Sequence, residues 1–584
     1  MLKIFYRFVL SLLIITGCSF SSKISESKAI FVSPEGSNTN SGLTIGDPLL
    51  NINNAVNIAV PGDTIYLLPG TYKQIINLNV VNGEAEKPVY IYGYSKNKKD
   101  YPVIDGGLVK PSNSAKNFWM VFENSSWIKV AGIKFINGWT DPIQINNSSY
   151  ISFDSCMFCG ARHVIWAKGE FTHHLLVENC SWDQGGEFLW KVEKDSAGVD
   201  GWTAMHHESM EYFNGSIIDF RGTEGSVVIR NNTIKNAFNA VRWRGQEGGY
   251  DSNVEIYGNH ISQVRDNDFE PETYTYNLYI YHNFSHNIHR TLSVDNVDGG
   301  FIYYYGNVIT TDNKPWTQKI CNSFWKIYGS HGNLDFPLYL FNNSLYGCAY
   351  SFKTDAGISI QTKHYNNAYY FSLNNGWIVN KWDTTDEFDY DISNKKWPEN
   401  FVKNNQERHG KIADIKFADP LNRDLRLQKS SPGIDAGKVM SFPELNWTQA
   451  YSGNAPDIGA YENGNLVEGP PFRFRTPPGI KLNYKEKPRI VKYSVMGKNL
   501  LLFFSDKLNK SSVDKNTIEV YQDGSIVKVE SVSVADDNYE IILQTDKQLD
   551  SDQLSISFKE FPVSLNGERA TYWGSTIKIN RSNN

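Results

Sequence analysis

Apolar residues along the middle of the chain recur in short strand–turn–strand pieces. The pieces align when each starts on an apolar residue followed by Asn three positions later and a second apolar residue five positions later. Units of this kind start at Ile229, Ile256, Ile280, Tyr304, Leu340 and His364. Their asparagines are Asn232, Asn259, Asn283, Asn307, Asn343 and Asn367, and the second column reads Ile234, Ile261, Ser285, Ile309, Leu345 and Tyr369, with only Ser285 breaking it. Three earlier units, from Val130, Phe153 and Val177, keep the apolar columns with Phe135, Phe158 and Trp182 but place Ile133, Cys156 and Cys180 where Asn stands later. Most start-to-start steps are 23 to 27 residues, enough for one coil of three short strands and their turns.

Each such coil has an apolar face that it cannot cover alone, so it stacks on its neighbours about 4.8 Å away. An Asn at every turn hydrogen-bonds backbone groups that a sharp bend leaves unpaired. The repeat therefore predicts a right-handed parallel β-helix, with the asparagines in one line and Cys156 and Cys180 extending it. Two steps are much longer, Val177 to Ile229 and Tyr304 to Leu340, and mark loops that leave the coil. Binding residues concentrate on long loops over rigid scaffolds. The first loop carries Trp190, Trp202, His206 and His207, the second Trp316, Lys319, Trp325 and Lys326.

The third strand of each coil starts about twelve residues after its first apolar position, which sets Val241–Arg244, Asp268–Glu272 and Leu292–Asp295 side by side. Alternation then turns Val241, Trp243, Phe269, Leu292 and Val294 inward, and Arg242, Arg244, Asp268, Glu270, Glu272, Ser293 and Asp295 outward. Such a strip suits sugars. Paired carboxylates can serve a glycosidase as acid and base or nucleophile. A lyase instead needs a Lys or Arg base and a cation, often calcium, to neutralise a uronate. Asp268, Glu270, Arg242 and Lys326 are the candidate catalytic residues. Arg244, Trp190, His207, Glu272 and Trp325 are candidates for substrate binding, and Asp268, Glu270 and Asp295 for Ca2+. The plain alternative is a surface ladder of Arg–Glu pairs.

The chain has 584 residues, 40% of them hydrophobic and 14% aromatic, with 45 glycines, a balance that suits a strand-rich and turn-rich protein. A net charge of -6 without a basic stripe speaks against nucleic acid as a partner. Lys3 and Arg7, the apolar run to Ile15 and Thr16-Gly17-Cys18 resemble a lipoprotein signal peptide, with Cys18 the lipidated residue. Residues 1–18 are thus expected as signal and 19–29 as tether of an outer-membrane lipoprotein facing the periplasm or the cell surface. The remaining five cysteines, an odd number, speak against a disulfide framework.

The opening Phe31-Val-Ser-Pro-Glu-Gly-Ser-Asn-Thr-Asn-Ser-Gly42, with Pro61-Gly-Asp-Thr-Ile65 and Pro69-Gly-Thr-Tyr72, resembles the start of pectate-lyase-like right-handed parallel β-helix proteins. Ser431-Pro-Gly-Ile-Asp-Ala-Gly437 and Pro456-Asp-Ile-Gly-Ala-Tyr-Glu462 resemble their end. The resemblance implies an all-β body over 30–465, capped by a helix over Leu50 to Ala59, and a carbohydrate-active role. After a linker over 466–486, alternating runs and an Asp523-Gly524 turn predict a small immunoglobulin-like β-sandwich over 487–581. The expected function is a monomeric polysaccharide lyase or glycoside hydrolase; a non-catalytic surface glycan-binding or adhesive lipoprotein is the alternative.

Overall fold

The computed structural model describes residues 27–579 apart from 96, 110–116, 186–196, 199–200, 208, 245–250, 313–323, 329–334, 348–351, 355–360, 373–385, 552 and 572–576. Cys18, Trp190, Trp316 and Lys319 lie outside the described residues, as do the side chains of His207 and Asp295. No helix among the described residues is long and apolar enough to cross a membrane.

The body is a right-handed parallel β-helix. Its 32 strands form one continuous hydrogen-bonded system from Ala29–Val32 to Lys411–Ile412, in which the strands pair in parallel. The first apolar position of each unit stacks on that of the next, Ile229 on Ile256, Ile256 on Ile280, Ile280 on Tyr304, Tyr304 on Leu340 and Leu340 on His364. These residues and the second column fill a core in which Ile229, Ile256, Ile280, Leu340 and Tyr369 are fully buried. The helix Ile52–Ile58 turns Ile52, Ala55 and Val56 onto the open end of this core, with the Asn51 side chain capping the Asn53 N–H at 2.8 Å.

The asparagines form the expected line. Each side-chain oxygen accepts from the backbone N–H of the preceding ladder residue, as in Asn232→Asn259 at 3.0 Å, Asn259→Asn283 at 3.1 Å and Asn343→Asn367 at 3.1 Å. Cys180 N–H donates to Asn232 Oδ1 at 2.9 Å, and Cys156 N–H meets Cys180 Sγ at 3.4 Å, so both cysteines extend the line as free thiols. The line runs one coil further than the repeat suggested. Phe388 stacks on His364, and Asp391 takes the ladder place, accepting from Asn367 N–H at 2.6 Å.

Beyond the coils, two four-stranded antiparallel sheets enclose a second core of Leu500, Leu502, Val520, Ile541, Leu543 and Ile556. Asp523 and Gly524 both have positive φ, 52° and 73°, and close the hairpin between Ile518–Gln522 and Ser525–Val527. The stretch 466–486, expected as a linker, is a strap laid on the outer face of the coils. The Asn277 amide donates to Arg473 O at 2.9 Å, that of Asn253 to Arg475 O at 2.9 Å, and Phe472 is buried against Tyr279. A face of stacked tyrosines leaves apolar area that a bare spacer would expose.

Candidate functional site

Third-strand pairing places two columns of polar side chains beside each other. One runs Trp166, Asp219, Arg242, Glu270, the other Lys168, Arg221, Arg244, Glu272. Phe269 pairs with Leu292 and Glu272 with Asp295, so Glu270 stands beside Ser293, which in turn pairs with Lys326. The strip expected from sequence is therefore assembled at Arg242, Arg244, Glu270 and Glu272, and Lys326 joins it from the next coil. Register shifts on either side, between Val264 and Asn267 and between Glu272 and Tyr274, make Glu270–Glu272 a short regular stretch between two irregularities.

The strip is largely buried. Arg242 is 5% and Glu270 4% exposed. Arg242 Nε lies 3.3 Å from Glu270 Oε2 without the alignment of a hydrogen bond, Arg242 Nη2 3.3 Å from Glu272 Oε2, and Arg242 Nη1 donates to Asn214 Oδ1 at 3.1 Å. Arg244 pairs with Glu272. The Asn267 amide donates to Glu270 Oε1 at 3.0 Å. Burial pushes the Glu270 carboxyl above its ordinary range, with Arg242, Lys326 and Arg244 opposing the shift and Asp266 adding to it. Burial also draws the Arg244 guanidinium down to about 10, helped by Arg242 and Arg221.

Two expected residues face the other way. Asp268 precedes Phe269 just as Ala240 precedes Val241, and both Ala240 and Asp268 are fully buried. The strict alternation assumed from sequence fails at the strand's entry, where two consecutive residues point inward. Burial raises the Asp268 carboxyl well above its usual range, and the pull of Ser285 toward the charged form is too small to offset it. Ser285, the one break in the apolar column, is thus explained by the carboxyl it meets. Trp325 pairs with Leu292 in the inward column, is 1% exposed and packs edge-on to Tyr304 at 5.1 Å, so it has no face to offer a sugar. Asp268 thus lies in the core while Glu270 stands in the outward column.

The strip also extends toward the N-terminus, which the sequence reading missed. Ile218–Arg221 has the same inward–charged alternation as Val241–Arg244, and that pattern was the available signal. Arg221 holds Asp219 with two bonds of 2.9 and 2.8 Å and lies 4.4 Å over the Trp166 ring. His163 Nε2 is 3.5 Å from Asp219 Oδ2. Burial raises the Asp219 carboxyl, but His163, Arg221 and Arg242 outweigh it and hold the carboxyl below its ordinary range. Burial drives His163 down to about 4. Of the first long loop, Trp202 stacks on His206 at 4.5 Å and packs beside Phe238, and His206 O accepts from the Asn214 amide whose oxygen meets Arg242.

Around Glu270, buried polar atoms without an aligned hydrogen bond gather: Asn267 Oδ1 and Ser293 Oγ, with Arg242 Nε and Glu270 Oε2 in an ion pair of 3.3 Å and Asp266 Oδ1 3.5 Å from Arg290 Nη1. Native proteins leave few such groups without aligned hydrogen bonds, so their gathering at one place singles it out as a candidate site.

No family model matches the sequence, and no curated protein matches it. Among solved structures, an alginate lyase of polysaccharide lyase family 6 is 12% identical, over 69% of this chain and 55% of that one, with a TM-score of 0.43. A pectate lyase is 14% identical over 75% of this chain and 97% of its own, with a TM-score of 0.31. An alginate lyase from a Paenibacillus species is 11% identical over 60% and 97%, with a TM-score of 0.35.

Proposed function

We propose that the protein is a carbohydrate-active enzyme that cleaves a polysaccharide at the strip of Asp219, Arg242, Glu270, Glu272 and Lys326, with Glu270 as general acid. The observation that carries this reading is the group of buried donors and acceptors around Glu270 whose hydrogen-bonding capacity is not filled by aligned partners. Sugar hydroxyls both donate and accept, and so match a mixed set of this kind better than an anion or a cation alone. The raised Glu270 carboxyl and the depressed Asp219 carboxyl separate an acid from an ionised group within one column, the division that acid–base chemistry on two carboxyls requires. We further propose that Cys18, in its lipobox-like setting, is lipidated and holds this activity at the outer membrane.

The test is turnover on a panel of neutral and uronate-containing polysaccharides, comparing wild type with Glu270→Gln. The variant keeps the shape and is expected to lower kcat by at least about a hundredfold while still binding the substrate. Products without a new near-ultraviolet absorbance identify hydrolysis; an unsaturated uronate would assign elimination, with Lys326 as the base. Undiminished turnover in Glu270→Gln would reduce the strip to a ladder of ion pairs, and binding without cleavage by wild type would make the protein a glycan-binding one.

A further inference from the structure

The last rungs of the asparagine ladder end on a different chemistry. Asp391 replaces the asparagine, and beside it lie His364, which stands in the inward column, and Glu407, which follows the last coils. Exposure is 0% for His364 and Asp391 and 6% for Glu407. One donor atom from each lies within 4.8 Å of the others, the one such group of three or more metal-competent side chains among the described residues.

Each side chain is held by one polar atom and presents the other. His364 Nε2 meets the Tyr369 hydroxyl, and its Nδ1 faces Asp391 Oδ2 at 2.5 Å. Asp391 Oδ1 accepts from Asn367, at 2.6 Å from the backbone N–H and 3.2 Å from the side-chain amide, while Oδ2 has no hydrogen-bond partner of proper geometry. Glu407 Oε2 accepts from Asp391 N–H at 3.3 Å, and Oε1 has none. Outer partners that fix one atom of each ligand and aim the second inward are the arrangement that orients metal ligands. Two adjacent buried carboxyls with an imidazole are costly unless protonated or neutralised by a cation.

We propose that His364 Nδ1, Asp391 Oδ2 and Glu407 Oε1 bind one divalent transition-metal ion, zinc being the ion that an imidazole and two carboxylates suit, as a staple closing the C-terminal end of the coil. Zinc bonds of about 2.0–2.2 Å set two ligand atoms about 3.3 Å apart, so His364 Nδ1 and Asp391 Oδ2, which meet at 2.5 Å, part to admit the ion between them. Burial holds the His364 imidazole neutral, down to about 3, the form a metal requires. It also raises both the Asp391 and the Glu407 carboxyl above their ordinary range.

The test uses untagged full-length protein, loaded with zinc, dialysed and analysed for metal, with thermal unfolding before and after a chelator. The expected result is about one zinc per chain, a midpoint that falls on chelation, and recovery with zinc but not with magnesium. Asp391→Asn restores the residue found at six other rungs and so keeps the ladder. It should lose the bound zinc and make the midpoint indifferent to the chelator. Wild-type protein that retains no stoichiometric zinc overturns the proposal, leaving a proton shared by the two carboxyls. Undiminished zinc in Asp391→Asn overturns it equally.

Discussion

Asp268 is a carboxyl set among apolar neighbours, and its protonation is coupled to folding. In the unfolded chain it ionises near its ordinary value; in the folded protein burial keeps it protonated far above that. Below the unfolded value both states carry the proton and no difference arises. As pH rises past it, the unfolded state releases its proton first and gains, at about 1.4 kcal/mol per pH unit until the folded carboxyl also ionises. Asp268→Asn removes this dependence. Chemical denaturation should therefore find the variant more stable than wild type at pH 7 and nearly equal to it at about pH 3.5, with activity retained because the side chain faces the core. Equal stabilities at both pH values would show that Asp268 is solvated. Glu270, raised as well but on the strip, should instead confer an activity that falls as pH climbs through its folded value.

The ladder shows how an element is specified by single residues. Asn283 Oδ1 accepts from Asn259 N–H at 3.1 Å, and its amide donates to Ile256 O at 3.0 Å, both buried, and to Tyr281 O at 3.1 Å, part-buried. Asn283→Ala leaves these groups unpaired and should cost about 1–3 kcal/mol in urea unfolding; a loss below a few tenths would mean that water replaces the amide. The residue before each rung is in the left-handed region, and is Asn231, Gly258, His282, Gly306, Asn342 or Asn366, which explains the recurring Gly-Asn and Asn-Asn pairs. The coil repeat and the charged columns were legible in the sequence because period-two alternation and the turn asparagines are local signals. The Phe388 coil was not, since Asp391 breaks the pattern used to find it. Asp268 was misplaced because alternation was extended through a corner, and Trp325 because the long step from Tyr304 to Leu340 was read as loop although it contains the coil strand Trp325–Tyr328.

At the scale of the molecule, the chain doubles back on itself. Lys438 O accepts from the Asn366 amide, Gly459 O from Asn342, Val467 O faces His282, Arg473 O meets Asn277, Arg475 O meets Asn253, and Asn483 N–H donates to Glu224. The strap thus reads the coils in reverse order and delivers the sandwich to the His174–Ser226 region, where Glu486 Oε2 lies 3.1 Å from His174 Nε2 and Arg489 pairs with the buried Glu255. Arg489→Met strands the Glu255 charge and should cost about 3–5 kcal/mol, with calorimetry resolving a separate transition for the sandwich. Adding Glu255→Gln should recover much of that loss, and a double variant no better than the single one would mean that the pair is not what joins the two parts. The reversed order also bears on synthesis. The ribosome finishes every coil before it makes the residues that cover the stacked Tyr279, Tyr303 and Tyr305, so a nascent chain presents an aromatic wall until its last segment emerges. A chain cut short before the strap would keep that wall, and with it a mark by which chaperones and proteases tell unfinished molecules from finished ones.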